Sequence, residues 1–246
     1  MVSTMFPEAP THVDPLSSRI NVSPGVSYWP RCLDTGAQTR LIAEVLARAE
    51  DAPFYRPRMP RSGKPFSVEE TNFGLLGWFS DQAGYRYEKR HPVTQRRWPP
   101  MPRLLQEMWV VLTGYAAPPE CCLVNLYRPG ARMGLHQDRD EADLDAPVLS
   151  VSLGDDTVFR IAGVMRGSPS RCLKLSSGDV VILAGAARLA FHGIDRVLAN
   201  SSPLLPGGGR ISLTLRRVTR QRNGKTPDQG ADRASYAPLR AGAGRG

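Results

Sequence analysis

The sequence predicts a mainly β domain with flanking helices, an α+β fold of the sandwich, jelly-roll or barrel type. Short runs rich in β-forming residues follow one another from residue 121 to residue 217, and Gly, Pro or Asp separates most of them. Only two segments, both before residue 120, carry apolar residues at helical spacing. A chain of 246 residues is long enough for one substantial domain.

The part of the chain before residue 120 supplies both predicted helices. Residues 1–22 are polar and aperiodic, so we expect a flexible segment there. Apolar residues at helical spacing predict a first helix over 36–50, with Asp34 or Thr35 as its N-cap. A second apolar stripe predicts a helix over 102–116, and both stripes are typical of core packing.

The chain from residue 121 onwards supplies the predicted strands and a tail. The strands are predicted at 121–128, 132–137, 147–153, 157–162, 171–175, 179–184, 188–194 and 210–217. Strands at this density favour packed sheets or a barrel over alternating strands and helices. Residues 218–246 contain few apolar residues and more Lys and Arg than acids, so we predict a disordered basic tail.

Composition limits the compartment and the partners. The formal net charge of +9 favours polyanionic partners such as nucleic acid. No apolar run approaches the ~20 residues of a membrane helix, and the first residues lack the pattern of a secretion signal. The four cysteines show no C-x-x-C spacing, which favours reduced thiols. We therefore expect a cytoplasmic protein that does not bind membranes.

The stretch "LHQDRDEADLDAP", residues 135–147, is a local excess of acid in this basic chain. His136 and Asp138 are positions i and i+2 of an extended segment, so both side chains can face one ion. A mononuclear Fe(II) site of the facial-triad kind needs two histidines and one carboxylate. His192, at the end of a predicted strand, is the candidate third ligand. The alternative is a surface histidine beside acidic residues.

Two other predicted strands place polar side chains on one face. Asn125 and Tyr127 share a face of "CCLVNLYRPG", and Arg210, Ser212 and Arg216 share a face of "RISLTLRR". Two buried arginines are costly in an ordinary core, whereas a bound carboxylate can satisfy their paired donors. The pattern predicts a site for a small acid, and the alternative is that one or both arginines face solvent.

Several motifs then occur in one order along the chain: "TNFGLLGW", "GYRY", "WPPMP", "NLYRPG", "LHQDRDEADLDAPVLSVSLG", "GDVVILAG", "RLAFHGI" and "RISLTLR". With this ordered set, residues 23–217 resemble the AlkB family of Fe(II)- and 2-oxoglutarate-dependent dioxygenases, which remove alkyl groups from nucleic-acid bases. The resemblance implies a double-stranded β-helix, or jelly roll, as a single dioxygenase domain over 23–217. It also implies a nucleotide-recognition lid at about 68–102.

The resemblance implies roles for individual residues. It implies that Fe(II) is held by His136, Asp138 and His192. It implies that 2-oxoglutarate is held by Asn125, Tyr127, Arg210, Ser212 and Arg216, with Arg210 on the distal carboxylate. It implies that the substrate is contacted by Trp78, Tyr85, Asp140 and Arg166. We assign no role to three further acids of the same loop and expect them to be solvated: Glu141, Asp143 and Asp145.

Three positions depart from the pattern of the family. Ser212 stands where Asn is common, and a hydroxyl is shorter than an amide, so we expect a changed affinity for 2-oxoglutarate. Leu183 occupies a position that is often Trp. Glu70 falls where a pocket-lining Met can occur. We expect the last two to affect the substrate range more than the chemistry.

The resemblance implies oxidative demethylation of bases such as 1-methyladenine and 3-methylcytosine in DNA, using Fe(II), 2-oxoglutarate and O2. The products would be succinate, CO2 and formaldehyde. The expected partner is alkylated DNA, single-stranded, and we expect a monomer. One alternative keeps this chemistry on RNA, protein or a small molecule. Another is a nucleic-acid-binding module without catalysis, against which the intact ligand set and both arginines argue.

Overall fold

A computed structural model describes residues 19–220; predictions for 1–18 and 221–246, including most of the basic tail, lie outside the described residues. The helices are α1 (Thr35–Asp51) and α2 (Arg103–Thr113). The strands are β1 (Ile20–Ser23), β2 (Val26–Trp29), β3 (Glu69–Gly74), β4 (Gly77–Asp81), β5 (Gly84–Glu88), β6 (Cys121–Tyr127), β7 (Met133–His136), β8 (Val148–Gly154), β9 (Thr157–Ile161), β10 (Arg171–Leu175), β11 (Val180–Leu183), β12 (His192–Val197) and β13 (Arg210–Arg216).

Two antiparallel sheets form the body of the described chain. The larger sheet has the strand order β1-β2-β11-β8-β13-β6-β3, and the smaller has the order β10-β9-β12-β7. Val148 and Leu183 of the larger sheet share an apolar cluster with Phe159 and Ile194 of the smaller one. The inner faces of the two sheets therefore pack together, and the predicted mainly β jelly roll with flanking helices is confirmed.

Both helices cover the outer face of the larger sheet. Leu41 and Val45 of α1 share the main apolar cluster with Leu105 and Trp109 of α2 and with Leu213 of β13. Because side chains alternate along a strand, the neighbours of Leu213 at even numbers point to the other face. The helices therefore pack on one face of β13, and the polar face of β13 points into the jelly roll.

The helix ends follow local chemistry. The carboxylate of Asp34 caps α1 by accepting a hydrogen bond of 2.7 Å from the amide of Ala37, which confirms Asp34 as one of the two expected caps. Helix α2 ends at Thr113, before the predicted limit of 116, because Gly114 takes the left-handed conformation with φ of 63°. Both predicted helices are confirmed with these bounds.

The strand predicted over 188–194 is wrong in its placement. Residues 185–187 form a short 3₁₀ turn, and β12 begins at His192 rather than ending near it. An apolar run such as "RLAF" has the same pattern in a buried turn as in a strand, so periodicity could not separate the two. The correction moves His192 to the start of its strand.

The folded chain extends on both sides of residues 23–217. Strand β1 begins at Ile20, inside the segment expected to be flexible. Val218 is buried, and the amides of Val218 and Thr219 donate to Glu120, so the folded chain continues past 217. Within the predicted lid, β3 is an edge strand of the larger sheet, and only the β4–β5 hairpin forms a separate sheet. Burial of these backbone segments could not be inferred from composition.

The cysteines agree with the expectation of reduced thiols. All four cysteines are free thiols. Cys121 and Cys122 are both buried, in different apolar clusters, because neighbouring residues of β6 point to opposite faces. Neither helix between residues 19 and 220 is long and apolar enough to cross a membrane.

Candidate metal centre and substrate pocket

Strand pairing brings the two candidate imidazole ligands together. His136 ends β7 and His192 begins β12, and these two residues are direct partners in the antiparallel ladder. Asp138 follows two residues after His136 and is buried. The end of β7 and the start of β12, more than fifty residues apart in the sequence, therefore lie side by side in the smaller sheet.

The three side chains have the geometry of a metal site. One donor atom from each of His136, Asp138 and His192 lies within 4.8 Å of the other two. The Nε2 atoms of His136 and His192 are each 3.8 Å from a different carboxylate oxygen of Asp138. Two imidazoles and one carboxylate on one side of an ion are the donor set that non-haem Fe(II) oxygenases use.

The histidine rings are oriented by backbone carbonyls. Nδ1 of His136 lies 3.0 Å from the carbonyl oxygen of Gly134, and Nδ1 of His192 lies 3.0 Å from that of Ala190. Each Nδ1–H can donate to its carbonyl, which leaves Nε2 unprotonated and available to a metal ion. The buried Oδ2 of Asp138 has no hydrogen-bond partner, as expected of an oxygen that ligates an ion. The residues fit Fe(II).

Asp138 lies beside two guanidinium groups and two imidazoles. Burial by itself would raise its pKa, but Arg216, followed by the two imidazoles and Arg188, lowers the pKa well below its usual value. The guanidinium of Arg216 donates to Asp138 Oδ1 at 2.8 Å. The carboxylate is therefore held ionised and in place beside the position of the metal.

The sequence analysis assigned no role to two buried residues near the metal site, Glu141 and Arg188, or to the partly buried Tyr87 that contacts them. Glu141 accepts from Arg188 at 3.1 Å and from the hydroxyl of Tyr87, and it lies 3.6 Å from Arg216. Arg188 also donates to the backbone carbonyl of Asp138 at 2.6 Å. This cluster fixes the loop that carries Asp138. The one available signal was an arginine next to the apolar run before His192.

The expectation that the extra loop acids are solvated is wrong for two of them. Glu141 and Asp143 are buried, and Asp143 accepts a hydrogen bond from Tyr115 at 3.0 Å. Asp145 is exposed, as expected. A run of acids cannot reveal which members find buried donors, because those donors come from distant segments.

The predicted 2-oxoglutarate residues line one inner cavity of about 50 Å³, next to the metal ligands. The cavity is lined by Asn125, Tyr127, Arg210, Ser212 and Arg216, among others. Neither arginine faces solvent, since Arg210 is 1% and Arg216 is 5% exposed. The structure thus brings all five predicted residues to one place.

Arg210 is prepared to bind an anion. Its Nη2 donates to Ser152 Oγ at 2.9 Å, while its buried Nε and Nη1 atoms have no hydrogen-bond partner. Ser212 lies 3.0 Å from Ser150 Oγ, so the shorter side chain is held within the sheet. Buried donors without acceptors are costly, and a carboxylate is the ligand that satisfies a guanidinium. Arg216, in contrast, is already paired with Asp138.

Leu183 lies in this inner cavity, against the region of Arg210 and Ser212, and not in the outer pocket described next. The departure at Leu183 therefore concerns the space for the small acid. The expectation that it affects mainly the substrate range is not supported by its position.

A larger outer pocket of about 630 Å³ opens beside the metal site. All four residues predicted to contact substrate line it: Trp78, Tyr85, Asp140 and Arg166. The rings of Trp78 and Tyr85 stack with centroids 5.4 Å apart, and Trp78 Nε1 donates to Asp140 at 2.9 Å. Arg166 is exposed at the rim, over the ring of Phe191. His136 and Asp138 line the same pocket, so a ligand there faces the metal site.

Glu70 also lines the outer pocket. It is only 1% exposed, and neither carboxyl oxygen has a hydrogen-bond partner. Burial raises the pKa of Glu70 to about 8, with Arg216 opposing the shift. A carboxyl group at this position was noted in the sequence as a departure, but its burial and its lack of partners were not foreseen.

Comparison with known proteins agrees with this geometry. The sequence model of the 2OG-Fe(II) oxygenase superfamily matches residues 25–216. The chain is 59% identical over 203 residues to an alpha-ketoglutarate-dependent dioxygenase AlkB homolog of Caulobacter vibrioides, covering 82% of this chain and 92% of that protein. It is 39% identical over 186 residues to the alpha-ketoglutarate-dependent dioxygenase AlkB of Escherichia coli, covering 74% of this chain and 85% of that protein.

A solved structure, that of OsALKBH1, superposes with a TM-score of 0.71 at 27% sequence identity. The superposition covers 81% of this chain and 99% of that one. Together with the triad, these likenesses establish an enzyme that uses Fe(II) with 2-oxoglutarate and O2 as co-substrates. The chain belongs to the AlkB family of the 2OG-Fe(II) oxygenase superfamily.

Proposed function

We propose that this protein repairs alkylation damage by oxidative demethylation of N-alkylated bases in DNA, of the 1-methyladenine and 3-methylcytosine type. The proposal depends mainly on the outer pocket of about 630 Å³, because the aromatic side chains of Trp78 and Tyr85 line it together with the metal ligands His136 and Asp138. This volume is in the range of pockets that enclose a small organic ligand such as a base. The likeness to AlkB proteins supports the same conclusion.

The pocket is suited to a base that has left the duplex stack. Trp78 offers a ring face, and stacking of a base on an aromatic side chain contributes roughly 1–3 kcal/mol. His136 lies on the side of the metal, so that a base between the two rings would present its alkyl group to the metal site. Extruding a base costs a few kcal/mol, and less for a lesion that pairs badly.

The inner cavity serves the co-substrate. Arg210 binds the distal carboxylate of 2-oxoglutarate through its free Nε and Nη1 donors, with Tyr127, Asn125 and Ser212 along the cavity. Fe(II) held by the triad supplies the activation of O2, and 2-oxoglutarate supplies two electrons as it becomes succinate and CO2. The methyl group gains a hydroxyl group, and cleavage of the C–N bond releases formaldehyde and the repaired base.

The surroundings of the pocket favour a phosphate backbone. Arg139 and Arg166 line the pocket and are exposed, and the whole chain carries a formal net charge of +9. Positive side chains beside the mouth attract phosphates, while the pocket itself recognises the base. A single strand supplies an unpaired base without the cost of breaking a duplex, so single-stranded DNA is the proposed partner. The protein acts in this proposal as a cytoplasmic monomer.

The test is formaldehyde release from a single-stranded oligonucleotide carrying 1-methyladenine, in the presence of Fe(II), 2-oxoglutarate and O2. Wild-type protein should release formaldehyde and succinate in equal amounts. His136→Ala should release neither, whereas Asp145→Ala, on the exposed part of the same loop, should behave as the wild type. Equal release by wild type and His136→Ala would contradict the proposal.

The same assay on matched methylated RNA and on a methylated peptide decides the substrate class. Faster turnover of the RNA strand than of the DNA strand would replace DNA by RNA in the proposal. Turnover of the peptide alone would overturn a nucleic-acid substrate altogether.

A further inference from the structure

Glu70 is placed in the outer pocket by the ladder between β3 and β6. It is the direct partner of Asn125, and directly opposed residues of an antiparallel pair point to the same face. Asn125 faces the inside of the jelly roll, where it lines both cavities. The Glu70 carboxyl group therefore also points inward, and it lines the outer pocket but not the inner cavity for the small acid.

The other buried acids between residues 19 and 220 have partners that explain them. Glu120 caps the amides of residues 218 and 219, and Asp155 and Asp179 each accept from several backbone amides. Asp138, Glu141 and Asp143 are paired as described above. Glu70 alone in this group has both oxygens buried and without a hydrogen bond. A buried polar group without a hydrogen bond destabilises the folded chain, so the presence of this carboxyl group requires an explanation other than folding.

The charged and titratable groups around Glu70 do not supply a partner. Arg216 of β13 is the cation that acts on it, but its guanidinium is committed to Asp138 at 2.8 Å and lies 3.6 Å from Glu141. Tyr55 and Tyr127 are the neighbouring phenols whose pKa values Glu70 helps to raise. With a pKa of about 8, the carboxyl group holds its proton at neutral pH.

We infer that Glu70 is a specificity residue, whose carboxyl group binds the edge of the extruded base and favours bases that carry a positive charge over neutral ones. This inference rests on the proposed function. Rings methylated at N1 of adenine or N3 of cytosine are cationic at neutral pH, whereas 3-methylthymine is neutral. A cation within about 4–6 Å favours the ionised form of a carboxyl group, so a cationic base creates the ion pair that the protein lacks.

A neutral base cannot form this ion pair with Glu70. With it bound, Glu70 stays protonated and offers an O–H donor and a carbonyl acceptor, and the Gln amide likewise offers both a donor and an acceptor without a charge. The exposed Asp140 can still contact the base, but its carboxylate is open to solvent, where a charge contributes less than it does in a buried site. Discrimination by charge is therefore assigned to Glu70.

The test compares kcat/KM for single-stranded DNA carrying 1-methyladenine with that for the same strand carrying 3-methylthymine. Glu70→Gln keeps the shape and removes the charge, and Glu70→Met removes the polar group. Charge-assisted hydrogen bonds contribute about 1.5–3 kcal/mol, so both variants should lose about 10- to 100-fold on 1-methyladenine. Activity on 3-methylthymine should stay within about threefold for Glu70→Gln. Glu69→Gln, the neighbouring exposed-side acid paired with Arg56, is the matched control and should leave both values unchanged.

A second readout separates this role from a merely structural one. Binding of the 1-methyladenine strand to the anaerobic Fe(II)–2-oxoglutarate complex is measured by calorimetry at pH 7 in buffers of different ionisation enthalpy. Wild-type protein should release up to one proton more than Glu70→Gln, and the 3-methylthymine strand should show no such difference.

The outcomes are distinguishable. A wild-type protein that consumes 2-oxoglutarate but demethylates neither strand would overturn the proposed function and this inference with it. A wild-type protein that demethylates 1-methyladenine, with a ratio between the two strands that Glu70→Gln and Glu70→Met leave unchanged, would overturn the inference alone.

Discussion

Asp138 and Glu70 are two buried carboxyl groups of one site with opposite electrostatic surroundings. Asp138 has Arg216 at 2.8 Å and two imidazoles nearby, and its pKa is lowered although it is buried. Glu70 is buried to a similar degree without a hydrogen-bond partner, and its pKa is raised to about 8. Burial therefore does not decide the charge of a carboxyl group; the number of positive partners does. Asp138, on the metal side of the site, is already paired with Arg216, whereas Glu70, in the substrate pocket, has no hydrogen-bond partner within the protein.

The largest effect on activity is expected from a change at Asp138, the ionised carboxylate of the pair. Asp138→Asn removes a metal ligand and the 2.8 Å partner of Arg216, which leaves Arg216 with only the carboxylate of Glu141 at 3.6 Å. Because a ligand of the metal is lost, turnover of 2-oxoglutarate, measured as succinate, should fall at least ~10³-fold, which corresponds to about 4 kcal/mol of the activation barrier. Asp145→Asn, exposed on the same loop, is the control, and retained turnover in Asp138→Asn would contradict the metal site.

Next in size is the buried cluster that supports Asp138. Glu141→Gln leaves Arg188 and Arg216 without their shared carboxylate, so the free energy of unfolding should fall by about 3 kcal/mol. Urea unfolding of the metal-free protein measures it. Glu50→Gln on the exposed side of α1 should change stability by no more than about 0.5 kcal/mol. An equally stable Glu141→Gln would show that the cluster does not hold the loop.

A smaller effect is expected at the inner cavity. Arg210→Lys keeps the charge but replaces two aligned donors by a single ammonium group. The KM for 2-oxoglutarate should rise about 10- to 100-fold, while kcat at saturating 2-oxoglutarate changes less, because charge-assisted hydrogen bonds of about 1.5–3 kcal/mol are lost. Arg171→Lys, at an exposed position of β10, is the control. An unchanged KM would remove Arg210 from the co-substrate site.

The smallest effect is expected from Glu70, the protonated carboxyl group of the pair, on the pH dependence of the free energy of unfolding. Below its unfolded pKa of about 4.5, Glu70 is protonated in both states and does not alter stability with pH. As pH rises towards the folded pKa of about 8, only the unfolded state releases the proton, so the wild type loses stability. Glu70→Gln lacks this loss, and its free energy of unfolding relative to wild type should increase by about 1–3 kcal/mol between pH 5 and pH 8.5.

Urea unfolding at the two pH values, with metal-free protein, provides the measurement. Glu69→Gln should follow the wild type because this side chain is partly exposed and paired with Arg56. A difference between Glu70→Gln and wild type that does not vary with pH would mean that Glu70 ionises normally, and the contrast with Asp138 would be lost.

Local pattern was sufficient for most of the secondary structure. The apolar stripes predicted both helices, and alternation predicted that Arg210, Ser212 and Arg216 share one face of a strand. It failed at "RLAFHGI", where a buried turn has the same apolar pattern as a strand, and at the domain ends, where Val218 is fixed by Glu120. Those outcomes depend on partners that are distant in the sequence.

The sequence by itself identified the family, and the resemblance to that family predicted which residues hold the metal and 2-oxoglutarate. Only the tertiary structure decided which acids are buried and which side chains surround them. Glu141 lies in the same acidic run as Asp145, yet Arg188 and Tyr87 reach one and solvent surrounds the other. Glu70 is buried without a hydrogen-bond partner, whereas the neighbouring Glu69 is partly exposed and paired with Arg56. The pKa of a carboxyl group depends on burial and on neighbouring charges, and both are set by strands that meet only in the folded chain.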